Sequence, residues 1–516
     1  MNNLIELKSF NIFSEYFLGI GVLYMLIVTV LISYNVLGLI IQCSLSNCIG
    51  LILILACYLI INDDLFFCND NFNFFVFKGF CNSILTDYFG FFSKLVLCFF
   101  SSVYFFVISD FLKNYNLTAF EYLLIILFAV IGLLLLCISN DLLSAYLTLE
   151  LISLSSYILA SFKKNSSYSV EAGIKYLITG SISSAFFLLG SSFIYASVGT
   201  IYLSDFWVIF SELVWLAEFD KTAECFEYLE PCIEIGLIFI LVSLFIKLAL
   251  APFHLWSLDV YEGSPSISTF FFAVITKLSV FIFLTRVYYS AIIFKELFEF
   301  YILIVSLLSI FVGALGGLRQ KKLKTLLAYS SISHMGYALL SFSAGTKFGL
   351  EMFIFYIVIY MFSGIIVWFI VLSVYEFKKH YSDKSNKELG DFILLKESNP
   401  ALAVSLSIAM FSIAGIPPLV GFFAKLCVFL SILYVEYYVV ALFVILCSVI
   451  SSFYYIRIIK ILYFENVLVG KLYYPIRTNK IVFFTLSVFA LFFLFLNPTL
   501  ICIVINNIIW RSFYLF

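Results

Sequence analysis

Residues 233–256 read IEIGLIFILVSLFIKLALAPFHLW. The run stays apolar for long enough to cross a bilayer, which takes about 20 such residues, yet it holds Lys247, then Pro252 and His254. Proline has no amide donor and its ring clashes with the preceding turn, so the helix is predicted to break there. Lipid offers no partner for the backbone groups that a break frees, so protein or water must meet them. The stretch predicts an interrupted transmembrane helix with an ionisable side chain beside the interruption.

A second interruption, Gly415-Ile-Pro417-Pro418-Leu-Val-Gly421, is followed by Lys425. Around the two breaks, apolar runs give candidate spans near 18–42, 47–62, 91–110, 117–138, 141–162, 171–197, 233–256, 265–289, 298–318, 324–343, 350–376, 400–435, 437–463 and 480–508. The expectation is an all-α, polytopic transmembrane protein of about 14 helices. The chain is 64% hydrophobic and 12% charged, with a mean hydropathy of +1.12, against roughly 45–50% apolar residues in soluble domains. The first run reads as a retained helix, since no small-residue cleavage site ends it.

The net charge of −2 and the confinement of basic residues to short loops exclude nucleic acid as a partner. The cysteines form no CxxC pair or Cys/His cluster, so neither a metal nor a redox cofactor is expected on this chain. Cys68 with Cys81, and Cys225 with Cys232, fall in polar loops; free thiols are preferred there over disulfides. The 63 Phe and 34 Tyr exceed what interfacial aromatic belts use and point to A+T-rich codons and an organellar genome.

One set of alternate loops is basic: Lys163 and Lys164; Arg319, Lys321, Lys322 and Lys324; Lys378, Lys379, Lys384, Lys387 and Lys396; and Lys471, Arg477 and Lys480. The other set is poor in Lys and Arg, and its longest member, 204–234, holds Lys221 alone among many acids. The positive-inside rule then puts both termini outside. The similarity of Asp141-Leu-Leu-Ser-Ala-Tyr146 to Lys324-Thr-Leu-Leu-Ala-Tyr329, with a break downstream of each, predicts a repeat of five helices. This divides the chain into leading helices at 1–115, repeats at 116–290 and 291–465, and a final helix at 466–516. Broken helices in corresponding halves mark an ion path in transporters.

Glu150 falls about nine residues into its span, too deep for a carboxylate to reach water. Tyr146, Ser153 and Tyr157 share its helix face and suit an ordered water chain. A structural carboxylate paired with a lysine is the plainer reading. Lys277 lies near mid-span, with Thr269 and Thr276 offering hydroxyls. Lys247 and Lys425 stand beside the breaks, and for Lys425 snorkelling is the rival reading. Lys175 is close enough to its helix start to snorkel. Burial disfavours the charged form of both lysine and glutamate, which brings the two types towards neutrality and suits them to proton transfer. His334 falls on a polar stripe with Ser330, Tyr337 and Ser341; His334 and His254 read equally as relays or as hydrogen-bonded structural histidines. His380 sits among loop lysines and is read as solvated. Asp259 and Glu262, before Ser264-Pro265, read first as a cap for the next helix and second as a proton inlet.

Leu149-Glu150-Leu-Ile-Ser-Leu-Ser-Ser-Tyr157, Glu171-Ala-Gly-Ile-Lys175-Tyr, Lys247-Leu-Ala-Leu-Ala-Pro-Phe-His-Leu-Trp256, Asp259-Val-Tyr-Glu-Gly-Ser-Pro265, Leu327-Ala-Tyr-Ser-Ser-Ile-Ser-His-Met-Gly336 and Gly415-Ile-Pro-Pro-Leu-Val-Gly-Phe-Phe-Ala-Lys425 together resemble the antiporter-like subunits of respiratory complex I, subunit 2 above subunits 4 and 5. The similarity runs from about residue 140 to 460. It implies inverted five-helix repeats and proton translocation driven by quinone reduction on a distant arm. Glu150 resembles the family's mid-membrane glutamate, Lys247 its partner lysine, Lys277 the central lysine, Lys425 the lysine by the second break, and Lys175 a further family lysine; Tyr146, His254 and His334 are possible relays.

NADH, FMN, iron–sulfur clusters and ubiquinone are then expected on partner subunits, and the partners are other membrane subunits of the complex and lipids. The implied location is the mitochondrial inner membrane with both termini on the intermembrane-space side, and three leading helices imply the unshortened form. A component of a multi-subunit cation/proton antiporter, sharing the Glu and Lys pattern, and a structural membrane scaffold are the two rival readings.

Overall fold

The computed structural model describes residues 13–32, 38–68, 77–79, 82–109, 111–114, 120–206, 208–210, 223–373, 388–393, 395–465 and 478–513. Cys81 and His380, and the side chains of Cys68 and Cys225, lie outside the described residues. Within them the chain is helical apart from a hairpin of Phe77–Gly79 with Ile84–Thr86.

Ten described helices are each long and apolar enough to cross a membrane, and a bent pair at the C-terminal end makes up to eleven. Three apolar helices are shorter: Ser14–Val30, Pro400–Ala414 and Val420–Tyr434. The Leu323–Phe342 helix stays out of the ten because Lys324, His334 and its serines dilute an otherwise apolar segment. The chain is thus a multi-pass helical membrane protein, and these further segments are where the fourteen-span reading places its remaining crossings.

Helix boundaries follow local chemistry. The Asp141 carboxylate accepts from the Ser144 amide and starts Leu142–Ser161, as side-chain oxygens do at helix N-termini. Asp87 does the same for Tyr88–Ile108 through Gly90. The Ser167–Val198 and Ala223–Leu248 helices touch where Gly190 meets Gly236; a Cβ on Gly190 would lie 2.6 Å from the Gly236 carbonyl.

Several spans differ from expectation. Residues 18–42 are not one helix, since Phe13–Ile32 is followed by a second helix that already starts at Gly38. Residues 265–289 cross as one span, Ser266–Ser290, with a one-residue interruption at Ile275 that separates Ser266–Val274 from Thr276–Ser290; there Thr276 bonds back to the Phe272 carbonyl at 3.0 Å, and such back-bonding often bends helices. Residues 480–508 are not one straight span, since Thr478–Leu496 and Thr499–Phe513 meet at an 82° bend at Asn497-Pro498, where proline ends the first helix. The helix expected from residue 233 already starts at Ala223 and runs through Pro231.

The Ser266–Ser290 and Lys347–Ser373 spans are the most enclosed, 94% and 89% buried. Ser167–Val198 packs on Leu142–Ser161, Ala223–Leu248 and Leu255–Gly263. Lys295–Gly317 packs on Leu323–Phe342 and Tyr438–Phe464, while Lys347–Ser373 packs on Leu323–Phe342, Pro400–Ala414 and Val420–Tyr434. Leu255–Gly263 touches Leu323–Phe342, and Ser266–Val274 touches Lys347–Ser373, which joins the two groups.

Candidate functional site

Both predicted breaks are present, and they end their first half-helices in the same way. At the first, Ala249 is left-handed (φ 58°), its amide bonds to the Ile246 carbonyl and the Leu250 amide to Phe245. At the second, Gly415 is left-handed (φ 83°), its amide bonds to Ser412 and the Ile416 amide to Phe411. This paired bonding is the Schellman ending, in which a left-handed residue lets two amides close back on the last turn. Each helix therefore stops before its proline; the ring prevents resumption rather than making the first cut.

The lysines use these endings differently. The Lys425 Nζ donates to the Ala414 carbonyl at 2.8 Å, the negative end of the Pro400–Ala414 dipole, and lies 5.3 Å from the centre of the Tyr337 ring. Lys425 is only 5% exposed, so it does not snorkel. The Lys247 Nζ is also sealed from the surface but has no hydrogen-bond partner among the described residues. The Glu150 charge acts on Lys247, yet no ion pair within 4 Å joins them among the described residues. Glu150 instead accepts from the Ser153 hydroxyl at 3.2 Å, as the shared helix face predicts. His254 begins Leu255–Gly263, and its Nδ1 is likewise buried without a partner.

Lys277 lies on the most enclosed span, one residue beyond the Thr276 back-bond, with its Nζ 5.6 Å from the centre of the Tyr360 ring. No hydrogen bond joins the expected hydroxyls to Lys277 among the described residues; Thr269 donates to the Ser266 carbonyl and Thr276 to Phe272. His334 sits where the charges of both Lys277 and Lys425 reach it. Its Nδ1 is 2.6 Å from the Tyr356 hydroxyl and its Nε2 3.0 Å from the Tyr455 hydroxyl. In a neutral imidazole one nitrogen donates and the other accepts, so the ring can take a proton on one side and release it on the other. His334, Tyr356, Tyr360, Ser412 and Lys425 border a cavity with about 20 Å³ open to water centres; about 10–15 Å³ holds one water. The Ser412 hydroxyl is buried and has no hydrogen-bond partner among the described residues, which gives such a water a polar contact.

Aromatic residues cluster beside each break. Tyr157 lies edge-on to Tyr176 at 4.9 Å, Tyr176 stacks on Trp256 at 4.7 Å, and Tyr261 is buried on the half-helix that carries Trp256. Tyr360 is 5.5 Å from the His334 ring. Tyr146 is half-buried against the core, and no hydrogen bond ties it to Glu150 among the described residues. Tyr176, Tyr261, Tyr356, Tyr360 and Tyr455 escape sequence reading, since tyrosine is everywhere in this chain.

Lys175 is half-exposed and pairs with Glu171 and Asp259, each at 2.7 Å. Asp259 and Glu262 do not cap the following helix: Glu262 pairs with Lys322, Ser264 closes the preceding helix, and Pro265 stands at the cap position. Two further ion pairs are buried near helix ends, Lys94 with Glu15 at 2.8 Å and Arg286 with Asp87 at 2.6 Å.

Broken helices, buried lysines and a hydrogen-bonded histidine beside a water-sized cavity define a membrane protein of the ion-transport class. Residues 139–451 match the family described as NADH:quinone oxidoreductase/Mrp antiporter, transmembrane, and the chain belongs to that family. It is 36% identical over 364 residues to the NADH-ubiquinone oxidoreductase chain 2 of Marchantia polymorpha, covering 70% of this chain and 71% of the relative. Its fold is shared with a chain of respiratory complex I from Thermus thermophilus with bound aureothin, at TM-score 0.73 and 24% identity over 95% of this chain and 98% of that one. A chain of the Mrp complex from Dietzia superposes at TM-score 0.77 with 17% identity, over 97% of each.

Proposed function

We propose that this chain is the chain 2 component of a proton-translocating NADH:ubiquinone oxidoreductase and that it passes protons along buried lysines, histidine and water. The observation that carries the reading is the Lys247 amine, sealed from the surface without a hydrogen-bond partner among the described residues, at a break whose counterpart fixes its lysine on a carbonyl. An amine with no fixed acceptor exchanges a proton with water without first breaking a bond. Glu150 acts on it through space, so a change in their separation alters how tightly Lys247 holds its proton. Lys277, His334 and Lys425 then continue the path, with Lys175 joined to it through Asp259.

Moving one charge against 100 mV costs about 2.3 kcal/mol, so partner subunits that reduce ubiquinone must supply the energy. NADH, FMN, iron–sulfur clusters and ubiquinone belong to those partners, with no redox centre on this chain. The Phe-rich composition supports a mitochondrial inner-membrane setting, the loop charges support both termini in the intermembrane space, and the paired breaks support inverted repeats over 116–290 and 291–465. The shared fold with the Mrp chain favours one second reading, a cation/proton antiporter component; proton uptake that follows NADH oxidation and ignores Na⁺ counts against it.

The test is Lys247→Ala in membranes, with assembly of the large complex checked on a native gel. Assembly kept with proton uptake and coupled NADH oxidation lost is the expected result. Assembly kept with both normal removes Lys247 from the path and favours a scaffold.

A further inference from the structure

We propose that Lys324 is a positioning residue for proton transfer, holding the half-helix that follows the first break to the helix that carries His334. The inference rests on the proton-translocation reading above. Lys324 is 2% exposed and stands in the first turn of Leu323–Phe342. A cation there faces the positive end of its own helix dipole, and burial adds a desolvation cost. Against both costs, the Lys324 Nζ donates to the Ser264 carbonyl at 2.7 Å. Ser264 ends Leu255–Gly263, so the ammonium sits at the negative end of a different helix, as Lys425 does on Ala414. Lys324 and Lys425 thus share a device, a buried lysine on the closing carbonyl of a half-helix, at the second break for Lys425 and at the far end of the half-helix after the first break for Lys324. Lys324 supplies it across the boundary between the two helix groups.

Leu255–Gly263 is held on its other sides as well. A Cβ on Gly263 would lie 2.5 Å from the Tyr168 carbonyl, so this end is pressed against Ser167–Val198. Near its start, the Trp256 indole donates to the Ile246 carbonyl at 3.0 Å, fixing it to the half-helix that bears Lys247. Lys322, beside Lys324, pairs with Glu262, although this pair is half-exposed and a surface ion pair holds weakly. Lys324 is the buried tie. His334 lies ten residues along the same helix, about 15 Å at 1.5 Å per residue. The Lys324–Ser264 bond, together with the packing and the Lys322–Glu262 pair around it, therefore sets the break at Lys247 and the imidazole at His334 relative to each other.

The experiment compares Lys324→Met, Lys324→Arg and Lys247→Ala in the assembled complex in membranes, reading proton uptake per NADH oxidised and its pH profile. Lys324→Met keeps the volume without the charge and is expected to lower the ratio by about threefold, with an altered pH profile; Lys324→Arg keeps the charge and restores most of it. A wild-type ratio and profile in Lys324→Met, with pumping lost in Lys247→Ala, overturns this inference alone. Normal pumping in both variants overturns the proton-translocation reading and the inference with it. An arginine variant as defective as the methionine one overturns the role of the charge. If Lys324→Met does not assemble, Lys324→Gln decides: a lowered ratio supports positioning and a wild-type ratio overturns it.

Discussion

The Lys425 ammonium is held 2.8 Å from the Ala414 carbonyl, across the gap between two halves of one broken helix. A charge-assisted bond of this kind is stronger than a neutral one, and it ties the second half-helix to the open end of the first. Lys425→Met leaves the Ala414 carbonyl buried and unmet, at a cost of about 1–3 kcal/mol. The expected outcome is an assembled complex that loses NADH oxidation at a lower temperature than wild type and translocates few protons. Thermal inactivation and proton uptake, measured on the same membranes, check the two parts separately.

The left-handed residues at the two breaks give opposite predictions. Gly415→Ala puts a Cβ 2.7 Å from the Lys425 Cδ at a φ of 83°, so it strains the backbone and displaces the lysine. A loss of about 1–3 kcal/mol is expected, together with reduced proton uptake. Ala249 already carries that backbone cost at φ 58°, so Ala249→Gly is expected to be neutral or slightly stabilising. Thermal inactivation of the two variants side by side checks the sign; a destabilising Ala249→Gly would sink the account of the first break.

The sequence revealed what long apolar runs and strong breakers mark. Leu142–Ser161, Lys295–Gly317 and Tyr438–Phe464 lie within a few residues of expectation because polar residues bound each run. Both proline breaks were visible, yet their stopping points were not, since the Schellman endings depend on Ala249 and Gly415 adopting a left-handed backbone. The interruption at Ile275 coincides with a threonine back-bond, a signal that hydropathy does not contain. Glu15 was missed because its run was read from residue 18 while the helix starts at Phe13. The partners of His334 were missed because spacing cannot tell which of many tyrosines three separate helices will bring together.

His334 connects two hydroxyls, so its replacements separate hydrogen bonding from shape. His334→Phe removes both ring nitrogens and leaves the Tyr356 and Tyr455 hydroxyls to find other partners, with a stability cost of about 1–3 kcal/mol. Proton uptake per NADH is expected to fall while the complex still assembles. Tyr356→Phe removes one bond only and is expected to have a smaller effect than His334→Phe. Equal and normal uptake in both variants would make His334 a structural residue, the other reading its sequence allows.

The buried pair of Lys94 with Glu15 ties the Phe13–Ile32 helix to Tyr88–Ile108. Phe13–Ile32 exposes Ile20, Leu23, Tyr24, Ile27 and Val30 on one face and buries Leu18, Val22 and Met25 on the other, so the ion pair adds a polar tie to an apolar contact. The side chains are 1% and 5% exposed, and the second Glu15 oxygen accepts from Ser14 at 2.7 Å. Removing one partner leaves the other charge buried and unpaired, at about 3–5 kcal/mol, whereas replacing both with apolar groups is often neutral. Glu15→Gln and Lys94→Met are therefore each expected to reduce assembled complex on a native gel, and Glu15→Leu with Lys94→Met to restore it. Recovery in the double variant with normal proton uptake identifies the pair as a tether for the first helix. Recovery of assembly without recovery of uptake would instead put Glu15 and Lys94 on the proton path, beside the residues at the two breaks.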